Sequence, residues 1–375
     1  MPQFLEEETV SMTHAVRLAQ YLDQIASRHG GHYADVGAVV LAIAEAGRKL
    51  ARLLARGDLG DLSSPVLGEP HIGRDGDVQK AFDVLANTIL HDALAGAPVA
   101  VLASEEDDAP VVLNPNATLA VAIDPLDGSS NIDTNAPIGT IFTILPADLA
   151  QGAPERSFLC SGHAQLAAGF LIYGPHTALV LTLGYGTQIF TLDPAEGCFI
   201  TRGNAVSVPR ETREYAINAS NYRHWGKPIQ RYIGDCLLGA AGPRGADFNT
   251  RWIASMVAEA YRILIRGGIY LYPGDARETY RDGRLRLLYE AFPIAFLIEQ
   301  AGGAATDGRR HILDLVPEAI HQRIPLVFGA AAEVERIIEL FRAPNTDRSP
   351  LFGQRGLFRQ HITPQAMRMD SLACP

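Results

Sequence analysis

Five short apolar runs follow one another in the first half of the chain: Val99–Ala103, Leu119–Ile123, Ile138–Leu145, Ala167–Tyr173 and Ala178–Leu183. Each is strand length and most are bounded by Gly, Pro, Asn or Asp, so the pattern predicts buried strands. Ahead of them, Val36, Val39, Val40, Ile43 and Leu50 fall on one helical face, with Asp35 placed to cap that helix. Val78, Phe82, Leu85, Ile89 and Leu94 predict a second helix over Asp77–Leu94. Between the two, Gly57–Gly76 is rich in Gly, Pro, Ser and Asp and reads as a long loop of the kind that closes over a site. Beyond Tyr215 the pattern changes. YAINAS and GGIYLYP read as strands, Ile229–Leu238 and Arg251–Arg262 as helices, and LLYEAFPIAFLIEQAGG as a helix stopped by glycines, with Pro293 in its first turn or at a kink.

One stretch, Leu166–Gly186, carries no Lys, Arg, Asp or Glu and has the length of a membrane span. Gly174-Pro175-His176 breaks it, which predicts two strands around a turn. No membrane partner is therefore expected. Neither is nucleic acid: the formal charge is −10, and Lys and Arg form only short pairs. The first residues, MPQFLEEETV, are acidic where a secretory leader is basic, and the four cysteines Cys160, Cys198, Cys236 and Cys374 are scattered. Both point to reduced thiols in the cytoplasm. With 375 residues the chain is long enough for two domains. We place their boundary at 206/207, with 1–206 and 207–341 as α/β domains and 342–375 as a polar extension.

The chain has no G-x-x-x-x-G-K-[ST], H-E-x-x-H, G-x-S-x-G or strand-borne G-x-G-x-x-G motif. That disfavours a P-loop enzyme, a zincin, an elbow-type serine hydrolase and a dinucleotide-binding dehydrogenase. What remains is a set of carboxylates at the ends of apolar runs. Glu105, Glu106, Asp107 and Asp108 follow VAVLAS, Asp124 and Asp127 end AIDPLD, and Glu290 sits in LLYEAFP. Taken alone, the acidic run reads equally well as a solvated turn. The segment AIDPLDGSSNID is harder to explain that way: a turn needs one Asp and the Gly, not two carboxylates and two serines. Asp124 and Asp127 supply oxygen ligands for Mg²⁺ or Mn²⁺. Backbone N–H groups of Gly128, Ser129 and Ser130 make a nest for a phosphate. Metal beside phosphate is the arrangement of metal-assisted phosphoryl transfer to water, which gives a Mg²⁺-dependent phosphatase of a small phosphate ester.

VAIDPLDGSSNID with IGTIF resembles the signature of class I fructose-1,6-bisphosphatases, as do GDVQKAFDVLAN, LASEED, YAIN, RWIASMVAEAYRILIRGGIYLYP, GRLRLLYEAFPIAFLIEQAGG and ILDLVPEAIHQR. The resemblance runs from about Asp35 to Phe341. It implies a layered αβαβα sugar-phosphatase fold and Mg²⁺-dependent hydrolysis of the 1-phosphate of D-fructose 1,6-bisphosphate, in gluconeogenesis or the Calvin cycle. The implied magnesium ligands are Glu105, Asp124, the Leu126 carbonyl, Asp127 and Glu290. Asp77 corresponds to a lid carboxylate, and Asp83 and Glu106 to the pair that orients and deprotonates water. Gly128, Ser129 and Ser130 correspond to the 1-phosphate site, Asn218, Tyr222, Tyr272 and Arg284 to the 6-phosphate site, and Met256 to a sugar contact. Arg251 resembles an arginine that crosses to a neighbouring subunit, which implies a homotetramer.

Two departures concern selectivity. Arg284 stands where the family usually has Lys, and Trp252 where it usually has Tyr; a planar guanidinium and a missing hydroxyl both alter phosphate contacts. Sedoheptulose 1,7-bisphosphate is therefore the alternative substrate, alone or in a bifunctional enzyme. A non-catalytic sugar-phosphate sensor would be expected to lack some of the acidic ligands, and all are present. Two regulatory expectations follow as well. Ala147–His163 contains only Cys160, so no local disulfide switch is expected. At the family's AMP site this chain has Gly31–Val36 at the helix start, Thr118-Leu119 for a Lys-Tyr pair and Pro146 for an Arg. The loss of two cations predicts insensitivity to AMP.

Overall fold

The computed structural model describes residues 15–56, 81–149, 152–201 and 203–343. The predicted lid Gly57–Gly76, Asp77 and the extension from residue 344 onward lie outside them. Nine strands form one sheet: β1 (Val16–Arg17), β2 (Val99–Ser104), β3 (Val111–Val112), β4 (Leu119–Asp127), β5 (Ile138–Pro146), β6 (Ala167–Tyr173), β7 (Thr177–Thr182), β8 (Thr187–Asp193) and β9 (Cys198–Thr201). Their order is β1-β9-β8-β7-β6-β5-β4-β2-β3. From β4 to β9 each strand pairs antiparallel with the next, whereas β2 and β4 are parallel. All five predicted strands are present, and the uncharged stretch Leu166–Gly186 is the β6–β7 hairpin with its turn at residues 174–176. Among the described residues no helix is long and apolar enough to cross a membrane.

The second half adds β10 (Glu214–Ala216), β11 (Asn249–Thr250), β12 (Ile269–Tyr272), β13 (Leu285–Arg286), β14 (Ala304–Thr306), β15 (Arg323–Ile324) and β16 (Leu326–Gly329). Five of these make a second sheet in the order β11-β10-β12-β16-β14, while β13 pairs with β15. The helices are α1 (Leu18–His29), α2 (Tyr33–Leu54), α3 (Ala81–Ala95), α4 (Lys227–Leu237), α5 (Met256–Arg266), α6 (Phe292–Gln300) and α7 (Ala331–Arg342). The described residues up to Phe341 form one compact unit; beyond it only Arg342 and Ala343 are described.

The layers explain why the strands read as unbroken apolar runs. In β4, Leu119, Val121 and Ile123 pack into a core with α1, α2 and α3, while Ala120 and Ala122 face a second core with α5 and α6. A strand covered on both faces has no polar side to alternate with. The second sheet closes the other side of α5 and α6, and its far face carries α4 and α7 through Tyr215, Ile229, Tyr232, Ile269, Val334 and Ile337. The order is helices, sheet, helices, sheet, helices: the expected layered αβαβα form of an α/β fold.

Three local expectations need correction. Asp35 does not cap α2: the cap position is His32, and Asp35 stands in the first turn, where its charge still favours the helix N-terminus. The helix expected over Arg251–Arg262 begins only at Met256. Ala254 takes a positive φ of 62°, Ser255 accepts from Ala258 N–H as N-cap, and Glu259 claims the Ile253 N–H, so residues 251–254 cannot be helical. The segment LLYEAFPIAFLIEQ is not one uniform helix. Leu287–Ala291 is a π-helical turn that passes into α6, with Pro293 in the first turn of the regular helix. Proline cannot donate an N–H to the turn before it, and a widened turn absorbs the missing bond.

Candidate active site

In a regular strand, residues three apart point to opposite faces. Asp124 and Asp127 nevertheless share one face, because β4 holds a bulge between them. Asp124 pairs with Ile141 and Asp127 with Gly139, so three steps on β4 match two on β5. The extra residue shifts the alternation by one and turns both carboxylates toward α5 and the π-helical turn. The Thr140 hydroxyl fixes the bulge by donating to the Pro125 carbonyl at 2.8 Å, and Leu126 N–H donates to Asp124 Oδ1 at 3.0 Å. Leu126 itself is buried.

The π-helical turn supplies the third group. Oxygens of Asp124, Asp127 and Glu290 lie within 4.8 Å of one another. Asp124 and Glu290 are nearly inaccessible, at 7% and 8% exposure. Burial, followed by the neighbouring carboxylates Asp127, Glu105, Glu290 and Glu106, pushes Asp124 well above the usual carboxylate range. Glu290 is pushed up by burial and then by Asp127, against the Arg286 N–H that bonds it. Asp127 is raised to about 6, mainly by burial; the Val257 N–H, 3.4 Å from Oδ2 at the start of α5, opposes that rise. A fold that gathers three carboxylates, two buried and one half-buried, carries a large desolvation and repulsion cost, which a divalent cation offsets. The donors are all oxygens, which fits Mg²⁺ or Mn²⁺ and disfavours a thiolate-bound metal.

Glu105 stands beside this group and is held differently. Its N–H donates to the Ile123 carbonyl at 2.9 Å, and its carboxylate accepts from Arg286 Nε at 2.8 Å. Arg286 is a residue that the sequence reading missed. It lies four positions before Glu290 in RLRLLYE, one helical turn away, and that spacing was its only signal. Glu106 N–H donates to Ser104 Oγ at 3.3 Å. Ser104 Oγ donates to Asn87 Oδ1, Asn87 donates to Asp107, and His91 bonds Asp107 at 2.7 Å. These bonds tie the acidic turn to α3, which also carries Asp83, 5% exposed. Asn87 and His91 were likewise missed.

Gly128 has a left-handed φ of 79°, open to glycine without strain, and starts a 3₁₀ turn over Ser129–Thr134. Ser129 is half-buried and Ser130 exposed. Asn131 Nδ2 donates to the Ala254 carbonyl at 2.9 Å, joining this turn to the segment before α5, where Met256 is buried. Gly139, opposite Asp127, allows that approach: a Cβ there would meet the Leu171 carbonyl at 2.4 Å and Val257 at 2.8 Å.

The other predicted contacts gather around the second sheet. Asn218 caps a 3₁₀ turn over Ala219–His224, its Oδ1 accepting from Ser220 N–H at 3.2 Å; Tyr222 is exposed in that turn. Tyr272 ends β12 in a stack with Tyr270 and Trp252, ring centroids 6.1 and 6.4 Å away. The Arg284 guanidinium lies 4.9 Å from the Tyr280 ring centroid. Arg251 is half-exposed, its Nε 3.4 Å from Glu214.

Residues 29–203 match the family model for the fructose-1-6-bisphosphatase N-terminal domain, and residues 208–342 match that for the C-terminal domain. The chain is 57% identical over 350 residues to a class 1 fructose-1,6-bisphosphatase of Acidiphilium cryptum, covering 93% of this chain and 97% of that protein. It is 54% identical over 347 residues to one of Rhizobium meliloti, covering 91% and 98%. The crystal structure of Leishmania major fructose-1,6-bisphosphatase in holo form superposes with a TM-score of 0.79 at 32% identity, over 88% of this chain and 100% of that one. The chain therefore belongs to the class 1 fructose-1,6-bisphosphatases and is a phosphatase of sugar bisphosphates.

Proposed function

We propose that the enzyme removes the 1-phosphate of D-fructose 1,6-bisphosphate in a reaction that depends on Mg²⁺ or Mn²⁺. The observation that carries the reading is the Asp124–Asp127–Glu290 group on a strand bulge that runs directly into the Gly128–Ser130 turn. When bound, the divalent cation supplies Lewis acidity toward the phosphoryl oxygens and the attacking water. Asp124, Asp127, Glu290, Glu105 and the Leu126 carbonyl are the groups that hold it. Backbone N–H groups of Gly128, Ser129 and Ser130, with the serine hydroxyls, hold the 1-phosphate. Asp83 and Glu106 orient a water and accept its proton on a carboxylate oxygen. The water oxygen bonds to phosphorus as the P–O bond to C1 breaks, leaving fructose 6-phosphate and inorganic phosphate. Asn218, Tyr222, Tyr272 and Arg284 hold the 6-phosphate, and Met256 the sugar. Residues 1–206 thus carry most of the metal site and 207–341 most of the sugar site, in a cytoplasmic homotetramer where Arg251 reaches a neighbour's 6-phosphate.

The same reading makes the enzyme insensitive to AMP. Thr118 and Pro146 stand at the two positions that would carry the nucleotide-binding cations, and neither holds a charge; Leu119, at the position of the ring, pairs with Pro146 across β4 and β5, and the Thr118 carbonyl accepts from the Ala147 N–H at 2.8 Å. Two lost charge-assisted hydrogen bonds weaken binding by roughly two to four orders of magnitude. Half-inhibition by micromolar AMP would overturn this part. The reaction itself is tested by phosphate release from fructose 1,6-bisphosphate and sedoheptulose 1,7-bisphosphate side by side, with and without Mg²⁺. Mg²⁺-dependent release favouring fructose 1,6-bisphosphate is expected; release in chelator, or preference for the seven-carbon sugar, would refute it.

A further inference from the structure

We infer that Glu214 is a positioning residue for Arg251, gripping one edge of its guanidinium so that the other edge is presented to the substrate phosphate. The inference rests on the reading of Arg251 as a phosphate contact. Glu214 opens β10 and is shared by three arginines. Its Oε2 accepts from Arg262 Nη1 at 2.9 Å, and its Oε1 from Arg266 Nη2 at 3.2 Å and Arg251 Nε at 3.4 Å. Arg262 also donates to Glu259, a carboxylate with no exposure. Three guanidiniums face two carboxylates, which leaves one positive charge in surplus.

The backbone around Arg251 is already fixed. Its N–H donates to the Tyr215 carbonyl at 2.8 Å, Ile253 N–H donates to Glu259 at 2.7 Å, and the Ala254 carbonyl accepts from Asn131. Only the side chain retains freedom, and among the described residues Glu214 is the one that hydrogen-bonds it. That contact engages Nε. No described residue engages the two terminal nitrogens, Nη1 and Nη2, and the side chain is 48% exposed. Those nitrogens form the fork that matches a phosphate. Arg262 and Arg266 keep the Glu214 carboxylate compensated, so the bond to Arg251, the longest of the three, serves for aim and not for charge balance.

Steady-state kinetics of the assembled enzyme at saturating Mg²⁺ tests this with Arg251→Ala, Glu214→Gln and the double variant. Arg251→Ala should raise the KM for fructose 1,6-bisphosphate. Glu214→Gln should raise it about two- to fivefold, the size of one weakened exposed charge contact, with the effect on KM and not on kcat. The double variant should be no worse in KM than Arg251→Ala alone. Additive effects, or an unchanged KM in Glu214→Gln, would overturn the inference while leaving Arg251's role standing. An unchanged KM in Arg251→Ala would sink the underlying reading instead, and the inference with it. Glu214 also serves α5, so melting curves accompany the kinetics. If Glu214→Gln does not fold, Glu214→Asp decides, since it keeps the charge but withdraws it by one methylene: a raised KM absent from the Arg251→Ala background supports the inference, and a KM equal to that of the parent refutes it.

Discussion

Asp127, proposed above as an ion ligand, is held in the folded protein at a cost. Its folded value is raised from near 4 to about 6, so folding favours the protonated form. That contribution is complete below the ordinary carboxylate value and is lost as pH rises through the window from about 4 to 6. Asp127→Asn removes the titration. In chelator, the variant should gain stability over the parent as pH climbs through this window, by at most about 3 kcal/mol near neutrality. Added Mg²⁺ should reverse the ranking, because only the parent keeps the full ligand set. Thermal melts of both proteins from pH 4 to 8, with EDTA or with Mg²⁺, check the sign; a variant that melts lower than the parent in EDTA at neutral pH would contradict it. The same Asp127→Asn should retain the fold and lose most of its activity at saturating Mg²⁺, read as phosphate release. At this scale the sequence was informative. Carboxylates closing apolar runs have no cheap structural explanation, so Asp124, Asp127 and Glu290 stood out. Arg286 did not, because a cation in a charged segment such as GRLRLL looks like surface until Glu105 is placed beside it.

The elements were legible where hydrophobic periodicity sets them and illegible where a single hydrogen bond does. Strands β2 and β4–β7 follow from their apolar runs, whereas β8 and β9, poorer in apolar residues, were not foreseen. The bulge between Asp124 and Asp127, the cap at Ser255 and the π-helical turn at Leu287–Ala291 depend on individual contacts that periodicity does not encode. Gly139 shows how such a contact acts across elements. It belongs to β5, yet it decides how closely α5 approaches Asp127. Gly139→Val should drive β6 or α5 away, because the nearest obstacle is the Leu171 backbone carbonyl and not a flexible side-chain tip. The expected cost is about 2 kcal/mol or more, on the scale of overpacking a core. Weaker Mg²⁺ activation should follow as the Val257–Asp127 bond is lost. Denaturant melts and Mg²⁺ titrations of activity would show both together, and a variant matching the parent in both would mean that this approach is not needed.

Over the whole molecule, the cysteines bear on control. Cys160, Cys198 and Cys236 are free thiols, and burial raises the Cys160 and Cys236 thiols, keeping them protonated and slow to oxidise. Mild oxidation followed by dithiothreitol should therefore change activity by less than about twofold, since Cys160 and Cys236 stay protonated and Ala147–His163 holds no second cysteine to pair with Cys160; a several-fold activation would show a thiol control. The layered arrangement was implied by the family resemblance and not by the order of runs and helices, and neither gave the distances it spans along the chain. The meander pairs each strand with its sequence neighbour. The active site does not: Asn131 meets Ala254 across 123 positions, Asp127 meets Val257 across 130, and Glu105 meets Arg286 across 181. Local hairpins close early on a folding pathway, and such distant contacts close late. During refolding, β-sheet signal should return before Mg²⁺ binding does. With the proposed ligand set, a metal would act as a proofreader of complete chains: a nascent polypeptide that ends before Glu290 has its meander strands but lacks the third carboxylate, and it would gain the full stabilisation from the ion only once the last ligand emerges.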